Sequence, residues 1–366
     1  MFSIGCEDDD AAAEAQAYNP AGEYVFPSRL IEGNSSVSYT GQVVRNMLHS
    51  DLKSLTDLVT TGPDHSHVTY NLLNSYFAHD DSPGMQPSFV ASPDACDAVY
   101  VNIATGKNLS GKTAEGNLRG WSIDATAAVQ AWMQAIADNY AANPNGGKQV
   151  VTGADGLNYS QMINKTLYGA VAYDQAFQYL ANYDDAMPDN VDPKSEGGSY
   201  TVAEHKWDEA FGYFGARRDF LTPGDVGSCI DLTSEHNFGW ASYATKRDND
   251  AENIAYRNGA MFKEDIFNAF VAGRAIIHNE GTIDELAPHM ATIRTRFEQL
   301  CAANVVHYVH SVLNAMGDLT DASGAMSSES ENYNKYWSEM RGFIISLQYN
   351  VGEVSGGLTS AQLDQI

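Results

Sequence analysis

Apolar side chains recur every three or four positions through much of the chain, the spacing of helices that bury one face. Val43, Val44, Met47, Leu48, Leu52, Leu55, Leu58 and Val59 trace the first such face, on a helix that Ser38 caps and that Gly62-Pro63 ends near residue 61. A shorter helix is expected over 67–77. Proline, glycine and serine then dominate 80–120, which reads as a long loop decorating a bundle. Helical spacing returns at 121–143 through Ile123, Ala127, Val129, Trp132, Met133, Ile136 and Tyr140, and stops at Pro144-Asn145-Gly146-Gly147. Further helices are expected over 157–183, 201–218, 253–279, 282–317 and 333–349, with an irregular stretch through Pro223, Gly224, Gly227 and Gly239.

Strand-like alternation is confined to 148–152. Acidic residues with Pro188, Pro193, Gly197 and Gly198 break the pattern between 184 and 199. Eight helical segments, divided about evenly at 190, predict an all-α chain of two tandem up-and-down bundles over 24–190 and 191–358. A flexible tether, 1–23, precedes them and a short tail, 359–366, follows.

Composition supports a large core, since 43 % of the 366 residues are hydrophobic and 11 % aromatic; wholesale disorder is excluded. The formal net charge of −26 makes nucleic acid and anionic membrane surfaces poor partners. No stretch reaches the ~20 apolar residues of a membrane span; even 305–316 is broken by two histidines and an asparagine.

The start of the chain has a different character. Ile4-Gly5-Cys6, followed by Glu7-Asp8-Asp9-Asp10 and an alanine-rich run, resembles the end of a bacterial lipobox and its acidic tether. That resemblance implies lipidation at Cys6, a bacterial cell-envelope location on the periplasmic side or the outer-membrane surface, and membrane contact only through the lipid. Cys96, Cys229 and Cys301 then permit one disulfide, in any of three pairings. None is spaced for a Cys-x-x-Cys site.

Three stretches carry a family likeness: Glu204-His205-Lys206-Trp207-Asp208-Glu209-Ala210-Phe211-Gly212-Tyr213-Phe214-Gly215, Ser38-Tyr39-Thr40-Gly41-Gln42, and Asp231-Leu232-Thr233-Ser234-Glu235-His236-Asn237-Phe238. Over 24–358 the chain resembles an uncharacterised family of bacterial envelope lipoproteins that is similar to imelysin. The resemblance implies a duplicated helical bundle and a role in iron uptake. The imelysin signature is Gly-x-His-x-x-Glu. Its nearest counterparts here are Gly169-Ala170-Val171-Ala172-Tyr173-Asp174, with valine for the histidine and aspartate for the glutamate, and Ala203-Glu204-His205-Lys206-Trp207-Asp208, which keeps the histidine without the glycine.

On a helix, His205 and Glu209 share one face and Glu204 and Asp208 an adjacent stripe, beside the apolar Trp207, Phe211 and Phe214. An imidazole among carboxylates suits iron or zinc. The same crowding can raise one carboxyl group's pKa and make it a general base. A solvated acidic face beside a hydrogen-bonded core histidine is the plain alternative. Asp231, His236 and Arg247, with Asp174, are the candidate ligand contacts around it. His307 and His310, three apart, suit a metal or haem but also a bundle core. His278 reads as a cation at a helix C-terminus.

The acidic stretches at 80–81 and 184–192 are candidates for loose calcium binding. Asp248-Asn249-Asp250 departs from an EF-hand, having Asn253 and Gly259 at its sixth and twelfth positions. Gly-x-Ser-x-Gly, His-Glu-x-x-His, P-loop and dinucleotide motifs are all missing. The expectation is a non-catalytic envelope lipoprotein that binds a metal ion or an iron-bearing small ligand, working with an envelope uptake partner. The alternatives are a surface scaffold or adhesin gripping a protein or polymer through its loops, and a metal-dependent peptidase-like hydrolase using Glu204 or Asp208 as base.

Overall fold

The computed structural model describes residues 17–20, 22–78, 105–181, 183–222, 237–250, 259, 261–317, 319, 329–352 and 354–366. The expected all-α class is what these residues adopt. In chain order the helices are α1 (Thr40–Leu58), α2 (Tyr70–Phe77), α3 (Ala125–Ala142), α4 (Tyr159–Leu167), a π-helical turn (Tyr168–Tyr173), α5 (Asp174–Leu180), α6 (Val202–Phe214), α7 (Gly239–Asn249), α8 (Phe262–His278), α9 (Ile283–Met316), α10 (Glu329–Leu347) and α11 (Ser360–Leu363). Extended segments among the described residues meet only at isolated bridges, such as Pro27 with Ser35 and Pro193 with Thr201.

Local chemistry sets most of these ends. Thr69, Asp124 and Asn158 each accept a backbone N–H of the first turn they cap, those of Leu72, Ala127 and Gln161. Reciprocal capping boxes start α6 at Thr201 and Glu204, and α9 at Thr282 and Glu285. Helix α6 ends on Gly215 at φ +80°, a left-handed position natural to glycine.

Several expectations are corrected. Ser38 does not cap α1: the cap position is Tyr39, with no side-chain bond, and the Ser38 N–H is committed to Asp208. The strand-like 148–152 is a 3-10 turn, Lys148–Val151. Helix α7 occupies residues that glycine had suggested were irregular, because Gly239 stands at its first residue rather than inside it. No helix among the described residues is long and apolar enough to cross a membrane.

Long neighbours pair first: α9 packs on α8 and α10, α5 on α6, and α3 on α4. Helix α10 also crosses α4, so helices from either side of residue 190 meet in one hydrophobic cluster. That crossing is close because α10 and the π-helical turn that continues α4 each present a glycine to it. A Cβ on Gly342 would lie 2.3 Å from the Lys165 Cβ, and one on Gly169 would lie 2.4 Å from the Ser346 Oγ. A second tie joins α1 to α4, where the buried His49 donates from Nε2 to the Asn164 carbonyl at 3.0 Å. Burial pushes that imidazole down to about 4, so it is neutral.

Two outcomes follow from this packing. Gly342→Ala overfills the α4–α10 crossing and should cost about 1–3 kcal/mol in denaturant unfolding, whereas Gly317→Ala, at a helical φ, should stay within about 0.5 kcal/mol. Unfolded histidine takes its proton near 6.5, but His49 in the fold takes it only near 4. Its contribution is therefore present above pH 6.5 and lost as the pH falls towards 4, by up to about 3 kcal/mol. Stability curves of the wild type and His49→Asn over that window should converge at the acid end; parallel curves would show that His49 is not the source.

Candidate functional site

Helix α6 presents its four predicted donors on two faces, and the structure separates them. Glu204 and Asp208 point inward and are fully buried, as is Arg274 of α8 between them. The guanidinium donates from Nε to Asp208 Oδ1 at 2.9 Å, from Nη1 to Glu204 Oε1 at 3.2 Å, and from Nη2 to the Ser36 Oγ at 2.7 Å. It also lies over the Phe26 ring. Asp208 accepts further bonds from the Tyr24 hydroxyl at 2.7 Å and the Ser38 N–H at 2.9 Å. Glu204 accepts the Thr201 N–H on Oε2 at 2.9 Å as part of the α6 capping box, and Arg29 Nε donates at 3.4 Å to the same Oε1 that Arg274 holds.

Burial pushes the Asp208 carboxyl up, while Arg274, Tyr24 and Ser38 hold it towards the charged form. Burial alone would lower Arg274, yet the two facing carboxylates outweigh this and keep it charged. Tyr24 is raised by burial and by Asp208, so it remains a donor. Glu204 and Asp208 thus form a buried ion cluster with Arg274. Their oxygens already carry donors. Among the described residues no group of three histidine, cysteine, aspartate or glutamate side chains converges as a metal site.

His205 and Glu209 occupy the outer, half-buried face. His205 Nδ1 donates to the Ser38 carbonyl at 2.9 Å, which leaves the Nε2 lone pair facing Glu209 Oε2 at 3.6 Å. Tyr200 stacks on the imidazole. Burial lowers the His205 pKa, against the pull of Glu209, and so favours the neutral ring. The other Glu209 oxygen accepts from the Tyr179 hydroxyl and the Gln42 amide, both at 3.0 Å. Asp174, at the start of α5, is pushed up to about 6 by burial while the Gln175 and Gln178 amides resist the rise. Its charge and that of Glu209 both act on the buried Tyr213 hydroxyl.

The remaining candidates are dispersed. Arg247 is buried with its Nη1 3.3 Å from Asp250, and the same Asp250 oxygen lies 2.8 Å from His307 Nδ1. Asp248 accepts the Phe262 and Lys263 N–H groups at the start of α8. His278 is no helix-end cation: burial and the neighbouring Arg274 push it down to about 4. Cys301 is a free, buried thiol. Cys6, Cys96, Cys229, Asp231, Glu235, His236 and the acidic pair at 80–81 lie outside the described residues.

Sequence reasoning passed over Arg274, although a signal was there. It falls four residues after Phe270 and three before Ile277, on the apolar stripe of α8, where a cation needs a buried partner. Replacing it should be severe: Arg274→Met strands two buried carboxylates and is expected to cost about 3–5 kcal/mol near pH 7. Protonating them relieves the penalty, so the gap to wild type should narrow by pH 5. A gap that is small, or that does not change with pH, would mean that the cluster is not carrying the packing described.

No curated protein and no solved structure matched the chain. The family comparison did find a match, to a domain of unknown function, DUF4856, over residues 22–366. That span takes in every described helix, the Arg274 cluster and the His205–Glu209 face, and the chain belongs to the DUF4856 family.

Proposed function

We propose that this protein is a non-catalytic binding lipoprotein of the bacterial cell envelope, anchored through Cys6, in which His205 and Glu209 take a metal ion that arrives with ligands of its own. The observation that carries the reading is the neutral imidazole whose free Nε2 stands 3.6 Å from Glu209 Oε2 on a partly open face. A nitrogen and a carboxylate oxygen suit iron or zinc, and a carbonyl fixing the far ring nitrogen is the usual support of a ligating histidine. Two protein donors leave most coordination positions open. An iron-bearing small ligand fits that vacancy better than a closed structural ion, and hand-over to an uptake partner agrees with it.

The arrangement gives a peptidase-like hydrolase little support. Its general base was to be Glu204 or Asp208, and both are spent on Arg274. No comparable argument favours the scaffold reading, whose loop falls largely outside the described residues.

Protein purified without metal affinity resin, stripped with chelator and titrated with zinc or ferrous iron, should bind close to one equivalent. His205→Ala and Glu209→Gln should each weaken binding at least about tenfold, with Glu298→Gln, which lies elsewhere, as the control. Unchanged affinity in both variants, or a wild type that binds neither ion, removes the assignment.

A further inference from the structure

The chain has ten lysines, and half of them line a single cleft. Lys53 comes from α1, Lys148 from the 3-10 turn, Lys165 from α4, Lys246 from α7 and Lys335 from α10. Among the described residues lining it are two carboxylates, Asp57 and Glu339, so ammonium groups outnumber carboxylates by three in a protein of net charge −26. Solubility explains an acidic exterior but not this segregation, because gathering like charges in a recess costs repulsion that scattered lysines avoid. Lys165 lowers the pKa of both Lys53 and Lys246, on top of the larger effect of burial.

We infer that this cleft binds a small, multiply charged organic anion with a hydroxylated framework, of the class of acidic and phosphorylated sugars. The proposal uses none of the residues of the His205–Glu209 pair and stands apart from it. The space is about 740 Å³, the size of a pocket for a ligand below a kilodalton. Its floor is built rather than incidental. Lys165 is only 3 % exposed, with Nζ donating to the Tyr243 hydroxyl at 2.5 Å and lying 3.5 Å from Glu339 Oε1. The Tyr168, Tyr243 and Phe343 rings surround it. Tyr308 donates to the same Glu339 oxygen at 3.1 Å.

Two acceptors at this floor lack a partner among the described residues: Gln161 Oε1 and Glu339 Oε2 make no hydrogen bond there, although both side chains are more than nine-tenths buried. Each suits a ligand hydroxyl, because an acceptor left bare at that depth is costly. Ser54, Thr60 and Thr61 add hydroxyls to the wall. Lysine, a compact point charge, serves carboxylate, sulfate and phosphate alike, and no arginine lines the cleft to demand a planar two-pronged fit. Tyr168 enters from the π-helical turn, a distortion that often marks functional positions in helices.

The test is calorimetric titration of the chelator-stripped full chain with glucose 1,6-bisphosphate, a sulfated heparin disaccharide, digalacturonate, maltose and inorganic phosphate. At least one charged sugar should bind, more tightly than inorganic phosphate, and maltose should not. Affinity should fall at least about tenfold between about 20 and 200 mM NaCl, as exposed ammonium groups are screened. Lys246→Met combined with Lys335→Met, both at the accessible rim, should weaken binding at least about tenfold at an unchanged melting temperature, while Lys206→Met binds like wild type. The charged sugar that binds most tightly identifies the anionic group. Silence from all three charged sugars, equal binding of maltose or of inorganic phosphate, or full binding by the double variant would each overturn the proposal.

Discussion

One buried cation organises the middle of this molecule. Arg274 sits where α8 crosses α6, and its four hydrogen bonds reach two carboxylates of one helix and Ser36 in the lead-in ahead of α1. A charge so deep is tolerable only when its partners are buried with it and share its hydrogen bonds. The consequence is geometric. Tyr24 must come in to Asp208, stacking on Phe211 at 3.8 Å, and Ser36 and Ser38 must pass the guanidinium at fixed register. The same Ser38 then offers its carbonyl to His205. The outer face of α6 is thus positioned by the inner one, through a single residue that bonds to both.

That coupling explains how one helical turn serves two purposes. Glu204 and Asp208 have no solvent and no vacant oxygen, whereas His205 and Glu209, one position further round, keep a free lone pair and an accessible carboxylate oxygen. Water-facing donors can exchange partners; the buried ones cannot without unmaking the core. Residues 169–174 are shaped by the same core: Gly169 is required by the close passage of Ser346, and Val171 is buried. Asp174 is a half-buried carboxylate held by two amides.

Charge is distributed with the same economy. In a chain of net −26, Arg274 faces the buried Glu204 and Asp208, and Lys165 faces the buried Glu339. The close α4–α10 crossing brings Lys165 to its partner: without Gly342, the Lys165 backbone could not approach the helix that carries Glu339. The lysine cleft is therefore a product of the core rather than a decoration on it.

The sequence by itself determined the helical class, most helix boundaries and membership of the DUF4856 family over residues 22–366. Those depend on short-range chemistry: three- and four-residue spacing, capping oxygens at Asp124, Asn158, Thr201 and Thr282, and glycine at Gly215. It also placed His205 and Glu209 on one face, because four residues make one helical turn. Only the tertiary structure decided which acids near them were free. Arg274 lies 66 residues from Asp208, and no spacing rule joins them. The five cleft lysines, spread from residue 53 to residue 335 on five elements, are likewise unrelated in sequence. Pairing across such separations is set by how helix faces nest, a property of the whole packed core that no local window contains.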